Sequence, residues 1–331
     1  MVTLPAQLVA TPVLERLAGG SRGETANGRT GALEGAVLGA GDTAVWIDLD
    51  GFVVVVTTRE VPLLPNAIAL PAGSGALGAA VAGSRGTARL VPGRVALGAL
   101  QVTWDPAAPP SWDPTVPVPA RVSHAVLAAR GAAILAALGS RGTPPPAAAQ
   151  GSLVRELARI GMVTASDPEG AAGLALLFRA VGARDPEPAA AAVRALLGRG
   201  PGLTPEGDDL LAGVAGTLAV LGPAISPPAP AGDRRPHGRL PDAEPFGPLL
   251  AALRPPPGRT TTLSATLLAL ALDRRLPEPA ARLLDLGPAG ERAWPAALTR
   301  LERLGHGSGR AYAAGIAATA SLLAAGAPAR R

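Results

Sequence analysis

Two adjacent carboxylates, Asp208 and Asp209, follow a glycine-rich turn in the stretch Gly198-Arg-Gly-Pro-Gly-Leu-Thr-Pro-Glu-Gly-Asp-Asp-Leu-Leu-Ala-Gly213. Gly198, Gly200 and Gly202 allow backbone turns that a Cβ would strain. Thr204 followed by Pro205 reads as a helix start, with the hydroxyl as N-cap and proline where its missing N–H does no harm. Acids in the first turn suit the helix dipole. Successive helical residues point about 100° apart, so one aspartate can fix the turn while the other faces a ligand. The plainer alternative is dipole complementation plus one surface acid. Loop N–H groups at Gly200 and Gly202, with Arg199 adding charge, suit a carboxylate or phosphate; the alternative is a tight helix–helix turn. Oxygen ligands of this kind suit Mg²⁺ better than zinc, but the chain has no DxD or HExxH spacing, so no cofactor is expected beyond a possible role for Mg²⁺.

Two further clusters carry polar groups at expected helix starts. Arg259-Thr-Thr-Thr-Leu-Ser264 offers a guanidinium and the hydroxyls of Thr261 and Ser264, for an anion or simply for capping. Gly305-His-Gly-Ser-Gly309 offers His306 and Ser308. No triad partner for His306 can be read from spacing. His124 lies on an expected helix and reads as packing or surface, and His237 falls in a charged, proline-rich segment.

Composition removes several chemistries. All 30 basic residues are arginine, so lysine Schiff bases and a P-loop lysine are absent. There is no cysteine, which excludes thiolate catalysis, Cys-ligated zinc and disulfides. The isoelectric point of 11.1 suggests a nucleic-acid binder. The net charge is only +5, however, and the arginines are scattered, so no nucleic-acid partner is expected. Aromatics make up 2% of the chain, so the core must be built of Leu, Val, Ala and Gly. Met1 to Leu17 lacks a signal-peptide pattern. Ala311 to Pro328 approaches membrane-spanning length but reads as a buried helix. The expectation is a cytoplasmic protein with no membrane partner.

These residues need elements to position them. Val45–Leu49 and Phe52–Thr58 flank Asp50-Gly51, a strong hairpin signal. Further strands are expected at 67–70, 87–90 and 95–104, and Val13–Leu17 as a short helix. The fold expected is α+β: an N-terminal, mainly antiparallel β domain over 1–105, a Pro/Trp-rich connection over 106–119, and a larger all-helical domain over 120–331. Helices are expected at 120–138, 147–160, 168–182, 187–198, 205–221, 260–274, 277–286, 290–304 and 308–325. Residues 223–245, rich in Pro, Gly and Arg, read as a disordered, dispensable insertion. Gly207-Asp-Asp-Leu-Leu-Ala-Gly213 and Gly309-Arg-Ala-Tyr-Ala-Ala-Gly315 share their glycine spacing. That echo predicts two small-residue helices packed together, with both turns at one end.

The blocks at 200–213, 261–264 and 305–309 together resemble a bacterial family that includes AllH, a subunit of the oxamate carbamoyltransferase of allantoin degradation. The resemblance covers the helical half well and the β half loosely. It implies carbamoyl transfer between oxalurate and phosphate, giving oxamate and carbamoyl phosphate. It also implies partner subunits, among them an FdrA-type protein similar to acyl-CoA synthetases. Asp208, Asp209 and His306 become the catalytic candidates. Arg199, Gly200, Gly202, Thr204, Arg259, Thr261, Ser264 and Ser308 become the substrate-binding ones. A non-catalytic scaffold or ligand-sensing subunit is the competing reading.

Overall fold

Asp50 and Gly51 both take positive φ, 51° and 82°, which is what a two-residue hairpin turn requires. Asp48 Oδ1 accepts from Gly51 N at 2.8 Å and braces the turn. The strands it joins are β4 (Ala44–Leu49) and β5 (Phe52–Thr58). The computed structural model describes residues 2–20, 32–73, 77–81, 86–139, 153–225 and 246–325. It is an α+β protein that divides into two units. The first spans Met1–Thr115 with Arg275–Pro279; the second spans Val116–Arg274 with Ala280–Arg331.

The first unit is a ten-stranded mixed sheet ordered β1-β9-β8-β7-β3-β4-β5-β6-β2-β10. Its other strands are β1 (Val2–Pro5), β2 (Leu8–Ala10), β3 (Leu33–Ala40), β6 (Ala67–Leu70), β7 (Thr87–Val91), β8 (Arg94–Leu97), β9 (Leu100–Thr103) and β10 (Ser111–Trp112). Most neighbouring pairs are antiparallel, as expected. β1–β9, β5–β6 and β2–β10 are parallel. The lead-in thus supplies two strands, and Ser111–Trp112, inside the expected connection, supplies another. The stretch 95–104 is two strands, because Gly98 turns the chain at φ 54°. β5 is buried nearly throughout, as a central strand with both faces covered must be. α1 (Thr11–Gly20) packs Val13 and Leu17 into the sheet's core, extending past the expected Val13–Leu17 at both ends. α2 (Leu77–Val81) is a single short turn of helix. Trp104 and Trp112 both pack on this core.

The second unit is helical: α3 (His124–Gly139), α4 (Leu153–Arg159), α5 (Val163–Ser166), α6 (Pro168–Ala183), α7 (Pro186–Leu196), α8 (Glu206–Ile225), α9 (Gly247–Ala252), α10 (Thr262–Leu272), α11 (Glu278–Leu283), α12 (Pro288–Leu301) and α13 (Ser308–Ala325). α6 and α7 begin alike, at Asp-Pro-Glu. Asp167 accepts from Gly170 N at 2.9 Å and Asp185 from Glu187 N at 3.0 Å, with proline at the first helical position each time.

The glycine echo is a reciprocal crossing of α8 and α13. A Cβ on Gly213 would collide with the Tyr312 carbonyl, and one on Gly315 would collide with the Leu210 carbonyl. Each glycine touches the residue three positions into the other's repeat. Gly207 and Gly309, the first glycines, lie against the carbonyls of Leu196 and Leu301 at the ends of α7 and α12. The absence of side chains brings the backbones together and sets both preceding turns at one end of the pair.

Three expectations need correcting. α8 runs past 221 to Ile225 with Pro223 inside its last turn; 226–245, the rest of the expected insertion, lies outside the described residues. α10 starts at Thr262, because Thr261 is its cap. α5 and α9 were not anticipated, being too short to show periodicity. α8 is the one helix among the described residues long and apolar enough to cross a membrane, and most of it is buried within the protein. α13 is likewise buried along most of its length.

Candidate functional site

Asp208 locks the turn. Its Oδ1 accepts from Gly198 N at 2.8 Å and its Oδ2 from the Thr260 hydroxyl. Thr261 Oγ1 donates to the Leu203 carbonyl at 2.5 Å while accepting from Ser264 N at 3.1 Å. Residues 260–264 are thereby tied to the glycine turn at two points. Thr204 and Ser308 hydroxyls meet at 2.8 Å, which ties in the third block. The three segments singled out by chemistry therefore lie together.

Asp209 sits at this junction and is only 5% exposed. Burial pushes its carboxyl up to about 8; hydrogen bonding from Ser308 and Thr204 opposes that rise, and the nearby charges of Asp208 and Glu206 add to it. At neutral pH it is mostly an uncharged acid, able to donate a proton in a hydrogen bond. Its Oδ2 is buried with no hydrogen-bond partner. Asp208 is also raised by burial, but the hydrogen bonds from Thr260 and Gly198 work against it. The Ser264 hydroxyl lies near enough to Asp208 to favour its charge, yet its buried Oγ makes no full hydrogen bond.

Other candidates are placed differently. Arg199 was expected to face an anion. Instead, its guanidinium bridges Asp167 at 2.6 Å and Glu169, both at the start of α6. His306 lies exposed on its turn, away from the carboxylate cluster's hydrogen bonds. Thr204 was expected to cap α8 but spends its hydroxyl on Ser308 and Asp209. Arg259 is exposed and makes no ion pair among the described residues, and its backbone lies beside Gly198.

The helix starts are less open than expected. Gly207 N donates to Arg199 O at 3.0 Å, and Asp208 N and Asp209 N donate to Pro205 O. Gly309 N and Ala311 N are taken by Leu304 O and Gly307 O. Backbone N–H groups with no protein acceptor among the described residues stand at the tip of the turn, at Gly200, Gly202, Leu203 and Thr204, and still at some helix starts, at Glu206, Thr262, Leu263, Ser308 and Arg310. Gly200 at φ 110° and Gly202 at φ 99° hold that tip in a conformation L side chains rarely adopt. No three His, Asp or Glu side chains group as metal ligands among the described residues.

Residues 196–320 match the AllH family. Its description is oxamate carbamoyltransferase subunit AllH. The AllH match runs from the end of α7 into α13 and so takes in all three site segments and the reciprocal glycine crossing. No curated protein and no solved structure matches the chain.

Three residues in this AllH-like region bear on the site without standing out in the sequence. Thr260 stood in the hydroxyl cluster but was not chosen, although it holds Asp208. Glu206 accepts from Val163 N at 3.2 Å and Thr164 N at 2.6 Å, capping the start of α5. Tyr312 is the chain's single tyrosine, one helical turn beyond Ser308, and its hydroxyl is buried without a partner. A lone tyrosine spaced i+4 from a candidate serine was the available signal.

Proposed function

We propose that the protein is a subunit of an oxamate carbamoyltransferase-like complex that binds a small carboxylate or carbamoyl anion at the turn preceding α8. The carrying observation is the AllH match over 196–320. The reaction is carbamoyl transfer between oxalurate and phosphate in cytoplasmic purine catabolism. A phosphate oxygen attacks the carbamoyl carbon, the bond to the oxamate nitrogen breaks, and that nitrogen takes up a proton. Partner subunits, including an FdrA-type protein, complete the complex.

In this reading the anion rests on the unpaired N–H groups of Gly200, Gly202, Leu203 and Thr204, with Arg259 as counter-charge. Thr261, Ser264 and Ser308 surround it with hydroxyls. Asp209, uncharged at neutral pH, donates to the oxyanion of the tetrahedral carbamoyl intermediate. Asp208 holds the turn and does not touch the ligand. His306, read from sequence as catalytic, has no role in this scheme.

The test is formation of carbamoyl phosphate from oxalurate and phosphate by the reconstituted complex. Asp209→Asn should reduce the rate by two orders of magnitude or so, the usual cost of one oxyanion donor. Unchanged turnover would reject the assignment. A scaffold role is the second reading. It is favoured by the four glycines at 207, 213, 309 and 315, whose missing side chains are fully accounted for by backbone packing. Full activity of the partner subunits without this chain's ligand-binding turn would support it.

A further inference from the structure

Three buried polar atoms around the α8 start lack hydrogen-bond partners: Asp209 Oδ2, Tyr312 Oη and Ser264 Oγ. Leaving such an atom unpaired is costly, so each calls for an explanation. Asp209 and Tyr312 are 5% and 3% exposed. They lie close enough for the Asp209 charge to act on the phenol. Ser308 and Tyr312 lie at i and i+4 on one face of α13, and Ser308 bonds to the Asp209 carboxylate. Asp209 and Gly213 lie at i and i+4 on α8, and Gly213 abuts the Tyr312 backbone.

We propose that Asp209 Oδ2 and Tyr312 Oη recognise the uncharged carbamoyl or primary carboxamide head of the ligand. This rests on the ligand-binding reading above and specifies which end of the ligand enters. A carboxamide carries one carbonyl acceptor and one NH₂ donor group. A protonated carboxyl oxygen donates to the carbonyl, and the phenol oxygen accepts from the NH₂. No cation is bonded to either atom, so the pair offers a carboxylate or phosphate nothing to offset its charge. The charged end of the ligand is left to the tip of the turn and Arg259. Both atoms are closed to solvent, so the head enters as the Thr204–Ser308 contact opens. Tyr312 is here a ligand-binding residue, and its hydroxyl has no structural bond to lose.

That last point makes Tyr312→Phe a sharp test. Calorimetry on the full chain compares oxamate with oxalate, which replaces the carboxamide by a second carboxylate. Thermal melting is recorded on the same proteins. Tyr312→Phe should melt at or above the wild-type temperature, because it removes an unpaired buried hydroxyl. It should bind oxamate about tenfold more weakly, the worth of one hydrogen bond, while oxalate binding is unchanged. Equal oxamate affinity in wild type and Tyr312→Phe overturns the inference. Equal losses for both ligands overturn it too, since the phenol would then not read the carboxamide. Binding of oxalate but not oxamate by wild type overturns it while leaving the anion site standing. Binding of neither ligand overturns both readings.

Discussion

Asp209→Asn should make the protein more stable, and increasingly so as pH rises. An aspartate carboxyl ordinarily titrates near 3.9; in the folded protein burial holds Asp209 at about 8. Below the lower value both states carry the proton and the group has no effect. Between the two, the folded state keeps a proton that the unfolded chain has released, so stability falls with rising pH by about 1.4 kcal/mol per pH unit. Above about 8 the loss is complete and totals roughly 6 kcal/mol. Asparagine keeps the shape and cannot ionise. The groups facing Asp209 are Asp208 and Glu206 on α8 and Tyr312 on α13. Tyr312 is raised by burial and then by the Asp209 charge, so it stays neutral throughout this range. The slope from the raised Asp208 is largely common to both proteins and drops out of their difference. Urea unfolding of wild type and variant at several pH values between about 5 and 9 gives that difference directly. It should be small at the acid end and grow to several kcal/mol in favour of the variant. A difference that stays constant with pH, or that favours wild type at alkaline pH, would refute the claim that Asp209 is protonated when folded.

Three other outcomes follow from particular contacts. Gly315→Ala drives a methyl into the Leu210 carbonyl, so unfolding should cost about 3 kcal/mol less than in wild type; a normal melt would refute the α8–α13 crossing. Thr260→Val removes a hydrogen bond to the Asp208 carboxylate and should cost about 2 kcal/mol near neutral pH, less in acid where Asp208 is protonated, as denaturant curves at two pH values would show. Arg199→Ala should cost no more than about 1 kcal/mol and leave oxamate binding intact in calorimetry, since its solvent-exposed carboxylate partners already occupy it. Loss of binding would return Arg199 to the site.

Local signals in the sequence predicted local structure well. Asp50-Gly51 fixed a hairpin, and the run of small residues from Ser308 gave α13 its observed bounds. The matched glycines at 207, 213, 309 and 315 foretold a helix pair, because close backbone approach requires the same missing Cβ on both sides. Pairings between distant segments were not legible: nothing near Val2–Pro5 points to Leu100–Thr103 as its parallel neighbour. The site shows the same division. Thr261 and Ser308 stood out because hydroxyls at helix starts are visible in sequence, and both lie beside the glycine turn. Arg199 was read as facing an anion because its partners, Asp167 and Glu169, lie 32 and 30 residues earlier in the chain, beyond the reach of local spacing, and claim its guanidinium. Tyr312 was missed because burial without a partner is a property of packing alone.

In the proposed function, the turn at 199–209 and the segments at 260–264 and 305–309 form one site for a carbamoyl-bearing anion. Calorimetric titration of oxamate, oxalurate and carbamoyl phosphate into the chain with its partner subunits tests it most directly. Wild type should bind saturably, and Asp209→Asn and Arg259→Ala should each weaken that binding by about tenfold or more. No binding to wild type, or equal binding by wild type and both variants, would contradict it.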